Sequence, residues 1–243
     1  MSSEDPKLRP TRQRPPRGSS NTQLDLEALR SSLGPRRHSR RERGTPVSSA
    51  ANGTPVERPF CYRCHKAAVG CLCDRIRVVS NQTGIVIFRH PRERFHPLGS
   101  SRIASLSLER CQILEARGNA GGITRPFEAP PRTGLLYPGT GSTSLEDVPR
   151  ESLPEHLVVL DGTWAHAHTL YRDNAWLRKL PHYGLDPAEP GRYRIRREPR
   201  AQCLSTVESI VCALRILEPE TDGLSHLLDV FDSMIDDQIR YMV

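Results

Sequence analysis

Residues 157–164 read Leu157-Val158-Val159-Leu160-Asp161-Gly162-Thr163-Trp164. Four apolar residues in a row, ended by Asp-Gly and then a threonine able to cap a helix, describe a strand covered on both faces that runs into a helix. The same grammar recurs outward from this point. Ile85-Val86-Ile87-Phe88 is a second buried-strand run, Gln112-Ile113-Leu114-Glu115 a third, and Leu135-Leu136-Tyr137, ended by Pro138-Gly139, a fourth. Residues 97–110 hold Leu98, Ile103, Leu106 and Leu108 among helix formers, and 163–179 read as another helix. Ser205-Thr206-Val207-Glu208 is a capping box that opens a helix reaching about Leu217. Leu224, Leu227, Leu228, Phe231, Met234, Ile235 and Ile239 stripe a last helix, with Asp229, Asp232, Asp236 and Asp237 largely opposite. Arg192-Tyr193-Arg194-Ile195-Arg196 alternates in polarity and predicts a strand with one exposed face. Alternating strands and helices give an α/β fold with a largely parallel sheet flanked by helices.

The chain has 243 residues and a formal net charge of +7. Residues 1–58 hold 12 Lys/Arg, 6 Asp/Glu and seven prolines, and the first aromatic residue is Phe60. Such a stretch buries too little apolar surface to offset its chain entropy, so a disordered basic arm is expected there. The only helical signal in it, Leu24 to Leu29, is too short to stand alone. The remainder is long enough for a true core. No apolar run approaches the roughly 18–20 residues of a membrane span, and the N-terminus lacks an apolar signal core. A cytoplasmic protein that stays off membranes is the expectation.

Four of the seven cysteines fall at Cys61, Cys64, Cys71 and Cys73. In a non-secreted chain that clustering indicates metal chemistry rather than a disulfide framework. Four thiolates suit tetrahedral zinc, and because they leave no open position the metal would be structural. His65 is a possible substitute ligand. A zinc hydrolase, which needs an open metal position, is disfavoured.

Other candidates gather at strand ends. Asp161-Gly162-Thr163-Trp164 and Tyr137-Pro138-Gly139 both follow apolar runs, where open α/β sheets bind ligands. Leu204-Ser205-Thr206 offers the amides of a helix start to an anion. Arg89-His90-Pro91-Arg92-Glu93-Arg94 is a basic loop in which His90 and Glu93 either do acid–base work or simply fix the loop. His166 and His168 read as helix-surface residues. The chain holds 32 Arg against 3 Lys, and Arg192, Arg194, Arg196, Arg197 and Arg200 crowd into nine residues. Arginine suits bidentate phosphate contact, so nucleic acid is a natural partner.

In their order, the four-cysteine cluster, Arg89-His90-Pro91-Arg92-Glu93, Gly134-Leu135-Leu136-Tyr137-Pro138-Gly139, Leu160-Asp161-Gly162-Thr163-Trp164 with Ala167, and Arg200 with Cys203-Leu204-Ser205-Thr206-Val207-Glu208 resemble the DTW-domain family. The resemblance spans about 59–217. It implies a tRNA-uridine aminocarboxypropyltransferase, which moves the 3-amino-3-carboxypropyl group of S-adenosylmethionine to N3 of a tRNA uridine and releases methylthioadenosine. It also implies a SPOUT-like core with a trefoil knot. The division expected is an arm over 1–58, a zinc module over 59–76 and the transferase domain over 77–243. On this resemblance Asp161 assists loss of the N3 proton or orients the base. Tyr137, Pro138, Gly139, Leu160, Gly162, Thr163, Trp164, Leu204, Ser205 and Thr206 hold the cofactor, largely through backbone groups, and Ser100, Ser101 or Thr206 meet its amino-acid end. Arg92, Arg102, Arg196 and Arg200 face tRNA phosphates. One departure is visible: relatives often carry Asn-Thr after the His-Pro-x-Glu motif, where this chain has Gly99-Ser100-Ser101-Arg102, which keeps the hydroxyls. Two other readings stand beside this one, an S-adenosylmethionine-dependent RNA methyltransferase and a non-catalytic zinc-ribbon RNA-binding protein.

Overall fold

The computed structural model describes residues 59–116, 127–139, 141–187, 189–195 and 203–242. The basic arm with its short helical patch, Arg196 and Arg200 lie outside those residues. In chain order the elements are β1 (Phe60–Cys61), β2 (Lys66–Ala67), β3 (Gly84–Arg89), α1 (Ser101–Ser107), β4 (Cys111–Glu115), β5 (Thr133–Leu136), β6 (Thr143–Ser144), β7 (His156–Asp161), α2 (Trp164–Asp173), β8 (His182–Gly184), α3 (Thr206–Leu217) and α4 (Leu224–Met242).

Six strands form one sheet in the order β4-β3-β7-β5-β8-β6, and every neighbouring pair is parallel. The most apolar runs, β3 and β7, lie side by side inside the sheet, where both faces are covered. The period of two then divides the core. Ile85, Ile87, Leu157 and Val159 face α1, α3 and α4, joining Ile103, Ile210, Leu214 and Phe231. Val86, Phe88, Leu135 and Val158 face the other way, onto Leu170 of α2 and Leu177. Fully burying a side chain of this size contributes about 1.5–3 kcal/mol, so β7 alone is a major determinant of stability. The metal-ligand segment shares the first core, since Cys64 and Leu72 are buried within it.

The capping box is formed as the sequence demands: Glu208 N–H donates to Ser205 Oγ at 3.4 Å and Ser205 N–H to Glu208 Oε2 at 2.8 Å. Other expectations need correction. Arg192–Ile195 is irregular, with a turn at Arg194–Ile195, rather than a strand. Arg192 pairs with Asp232 at 3.0 Å and Arg194 with Asp236 at 2.6 Å, both on α4. The alternation there serves ion pairs to the acidic side of a helix, not a sheet. The helix read over 163–179 stops at Asp173, where the Asn174 side chain donates to the Leu170 carbonyl at 2.7 Å, and a separate 3-10 turn covers Leu177–Lys179. Strands β6 and β8 have no sequence signal, being two and three residues long. Among the described residues no helix is long and apolar enough to cross a membrane.

Candidate functional site

Strands β1 and β2 pair antiparallel, Cys61 opposite Lys66, and the turn between them closes with His65 N–H donating to the Cys61 carbonyl at 2.8 Å. This knuckle sets four free thiols face to face. Cys61 Sγ lies 3.6 Å from Cys73 Sγ, Cys64 Sγ lies 3.7 Å from Cys71 Sγ, and all four sulfurs fall within 4.8 Å of one another. A zinc–sulfur bond of about 2.3 Å implies a tetrahedral edge of about 3.8 Å, so the spacing fits the ion. Amide hydrogen bonds from Cys64 and Arg63 pull the Cys61 thiol down to about 6, while burial and the neighbouring thiols push Cys73 up to about 12. Held together as thiolates, four sulfurs this close would need a cation among them. His65 turns away from the set: Arg102 donates to its Nδ1 at 3.0 Å, and burial, then the positive field of Arg102, holds its pKa below the usual value.

Parallel register builds the second part of the site. Arg89 stands opposite both Glu115 and Asp161, so Glu115, Arg89 and Asp161 end three adjacent strands at one carboxyl-end rim. They lie on the face toward α1 and α3. Arg89 is buried and donates to Glu115 Oε1, while its Nε has no partner among the described residues. Asp161 is 5% exposed, and its Oδ1 accepts from the Thr206 hydroxyl at 2.7 Å. Burial pushes its carboxyl above the ordinary range, against the Ser101 and Thr206 hydroxyls, which favour the charged form. The Ser101 hydroxyl is near enough for that influence, yet among the described residues Oδ2 has no donor in hydrogen-bond geometry. A buried carboxylate oxygen without a donor is costly, which is what a site awaiting a donor from its ligand would show.

The structure thus brings Asp161, Ser101 and Thr206 together. Ser100 is used differently. Its Oγ accepts from Val207 N–H at 3.3 Å, tying α1 to α3. The Ser205 side chain is committed to the capping box, and Leu204 beside it is half-buried. Tyr137 lies on the opposite face of the sheet, stacked on Tyr171 at 4.4 Å, with its phenol raised by burial. Pro138 is exposed, and Gly139 is held by Ser142, whose hydroxyl donates to the Gly139 carbonyl at 2.9 Å. Leu160 is half-buried on the Tyr137 side. Thr163 caps α2 by accepting from His166 N–H at 3.2 Å, and Trp164, the first helical residue, is 44% exposed. Arg92 is exposed beside the rim and Arg102 half-buried.

His166 corrects the helix-surface reading. Its ring stacks flat on His90 at 3.9 Å between centroids, and its Nδ1 lies 2.9 Å from Glu93 Oε1. His90 in turn donates its backbone N–H to the Asp161 carbonyl at 2.9 Å, and burial lowers its ring pKa. The two motif residues of the His-Pro-Arg-Glu loop are therefore joined through α2. Gly162 makes this possible, because a Cβ there would lie 2.7 Å from His166 Cβ. That glycine directly after Asp161 is the available sequence signal for His166. His168 is exposed, as read from the sequence. A narrow cleft lined by His65, Arg94, Arg102, Glu93, Arg89 and Ser101 joins the knuckle to the rim.

An all-parallel sheet with a buried carboxylate at its carboxyl-end rim, beside four cysteines spaced to hold a metal ion, defines an α/β protein with a candidate site at the strand ends. The chain belongs to the DTW domain family, matched over residues 58–239. It is 33% identical over 175 residues to tRNA-uridine aminocarboxypropyltransferase 2 of Drosophila melanogaster, covering 68% of each chain. It is 30% identical over 202 residues to the Mus musculus protein of the same name, covering 78% of this chain and 68% of the relative. It is 26% identical over 221 residues to tRNA-uridine aminocarboxypropyltransferase A of Arabidopsis thaliana, covering 76% and 83%. No solved structure matches the chain.

Proposed function

We propose that this protein is a tRNA-uridine aminocarboxypropyltransferase that uses S-adenosylmethionine as donor and carries a structural zinc on Cys61, Cys64, Cys71 and Cys73. The observation that carries the chemistry is Asp161, buried at the rim with Oδ1 on Thr206 and Oδ2 without a donor among the described residues. When bound, S-adenosylmethionine supplies a sulfonium-activated carbon whose bond to sulfur breaks as uridine N3 bonds to it, the electron pair leaving as methylthioadenosine.

Asp161 supplies the acceptor for the uridine N3–H. Oδ2 takes that hydrogen bond, which fills its missing donor and orients the N3 lone pair. As N3 gives up its proton, Oδ2 receives it or passes it to water. Burial makes Asp161 a stronger base than an ordinary aspartate, and the fixed Thr206 contact keeps it in one rotamer. Ser101 stands beside it where the donor's amino-acid end is expected, while Tyr137 to Gly139, Leu160 and Gly162 to Trp164 bring their backbone to the same rim. Arg102, which lines the cleft, and the exposed Arg92 are the arginines offered to tRNA phosphates. A protein that only bound RNA would gain nothing from a buried, donor-less carboxylate.

The test is mass spectrometry of nucleosides after incubating the protein with S-adenosylmethionine and unmodified tRNA. The expected product is an aminocarboxypropyl-uridine, with methylthioadenosine released. A methylated base with S-adenosylhomocysteine would overturn the reaction class in favour of a methyltransferase, and no change in the RNA would favour a binding protein.

A further inference from the structure

The metal knuckle carries more than ligands. Among the described residues, Phe60, Tyr62 and Phe95 are 44%, 84% and 65% exposed, and no core uses them. They are not scattered. Phe60 and Tyr62 meet edge-on at 5.4 Å, Phe60 and His65 lie 6.2 Å apart, and His65 stacks on Phe95 at 5.7 Å. The result is a continuous run of four rings across the knuckle and the loop after His90. Cations border it: Arg94 sits over the Phe95 ring at 5.1 Å, Arg102 touches His65, and Arg63 projects from the knuckle between Tyr62 and Cys64.

An exposed aromatic row of this kind has no folding rationale and marks an interaction surface. Aromatic faces interleaved with arginines are complementary to unpaired nucleobases on a phosphate backbone, since every base has a face to stack and every linkage a charge to meet. Position supports the same occupant. The cleft that begins at His65 and Arg94 ends at Arg89 and Ser101, next to Asp161.

We propose that Tyr62, Phe60, His65 and Phe95 form a stacking platform for the unpaired RNA bases that flank the target uridine, so that the metal knuckle positions substrate as well as stabilising the fold. This rests on the reading of a tRNA uridine as the substrate. The platform holds the neighbours of that uridine, one or two nucleotides from the rim. Stacking contributes without base identity, so the knuckle selects an unpaired stretch rather than a sequence.

The experiment measures fluorescence anisotropy of a labelled single-stranded oligouridine and of unmodified tRNA, titrated with the full metal-loaded chain. Tyr62→Ala and Phe95→Ala should each weaken both affinities about tenfold, the loss expected for one stacked base. Tyr62→Phe and Phe95→Trp should stay within about twofold of the unaltered chain, because a ring face remains. The salt dependence should be the same in all of them, since no phosphate contact is removed. S-adenosylmethionine affinity and zinc content should not move. Alanine variants that bind both RNAs like the unaltered chain would overturn the platform, including the case in which they lose self-association in sedimentation, which would assign the patch to protein contact. An unaltered chain that binds neither RNA would overturn it too. If RNA is bound and lost with the alanine variants but no aminocarboxypropyl group is transferred, the platform stands and the proposed reaction fails. Normal transfer with both affinities intact in the variants does the reverse.

Discussion

Replacing Gly162 by alanine tests the architecture of the rim with one methyl group. The added Cβ would fall 2.7 Å from His166 Cβ and 3.5 Å from His90 Cβ. Carbon atoms in contact settle at about 3.5–4.0 Å, so the first turn of α2 must retreat by about 1 Å. Overpacking of this kind costs about 1–3 kcal/mol. For a folded region of this size, each kcal/mol lowers Tm by about 2–4 °C, so a fall of about 2–12 °C is expected in thermal unfolding of the metal-loaded chain. The retreat also opens the 3.9 Å His90–His166 stack and the 2.9 Å contact with Glu93. Because Gly162 adjoins Asp161, a displacement of about 1 Å there should lower transfer to tRNA about 100-fold. A second substitution identifies the atom responsible. His166→Ala in the Gly162→Ala background gives no relief, because the clashing Cβ remains, whereas His166→Gly removes it and recovers stability, less about 1 kcal/mol of helix propensity. An unchanged Tm and unchanged transfer in Gly162→Ala would refute the reasoning, and so would rescue by His166→Ala.

Asp161→Asn should abolish transfer while leaving the fold as stable as before or more so. Its folded carboxyl lies above the unfolded value, so stability declines as pH rises from the ordinary aspartate range, about 4, through the raised folded pKa. The asparagine variant, with no such group, should gain on the unaltered chain across that window in urea denaturation, and a parallel decline in both would count against a buried ionising Asp161. Transfer should have an acid limb above the ordinary aspartate range, read from the pH–rate profile. Elemental analysis should find about one zinc in the unaltered chain and none in Cys61→Ser with Cys64→Ser, which should also unfold at lower temperature, since Cys64 lies in the main core; full stability would remove the metal from the fold. Arg192→Ala and Arg194→Ala should change tRNA affinity little, because Asp232 and Asp236 already neutralise both, and a large loss would return them to the RNA surface.

Much of this fold can be read in the chain because a buried parallel strand needs an uninterrupted apolar run, and Ile85–Phe88 and Leu157–Leu160 have no other use for theirs. Helix α3 is equally legible, because its capping box is a local hydrogen-bond contract among four residues. Strands β6 and β8 escape notice because Thr143–Ser144 and His182–Gly184 owe their conformation to neighbours in the sheet. The Arg192–Ile195 segment misleads because ion pairs to α4 and strand pleating produce the same alternation. His166 is the instructive miss at the site: His90 and Glu93, from the loop after β3, hold its ring inward while Trp164 and Ala165 of the same turn stay exposed. Asp161 could be placed at a strand end from sequence, but its missing donor on Oδ2 could not, since that depends on Ser101 and Thr206 arriving from distant segments.

Lys66 follows the knuckle, buried, with its ammonium on the Pro97 carbonyl and at 3.1 Å from Met234 Sδ, 168 residues further along. During synthesis at about 5–20 residues per second, that partner emerges roughly ten to thirty seconds after the cysteines do. For that interval the four thiols stand outside any finished core, open to a cation and equally to an oxidant. A metal held by these four cysteines would then be caught early by a short loop, before Met234 of α4 packs onto Lys66.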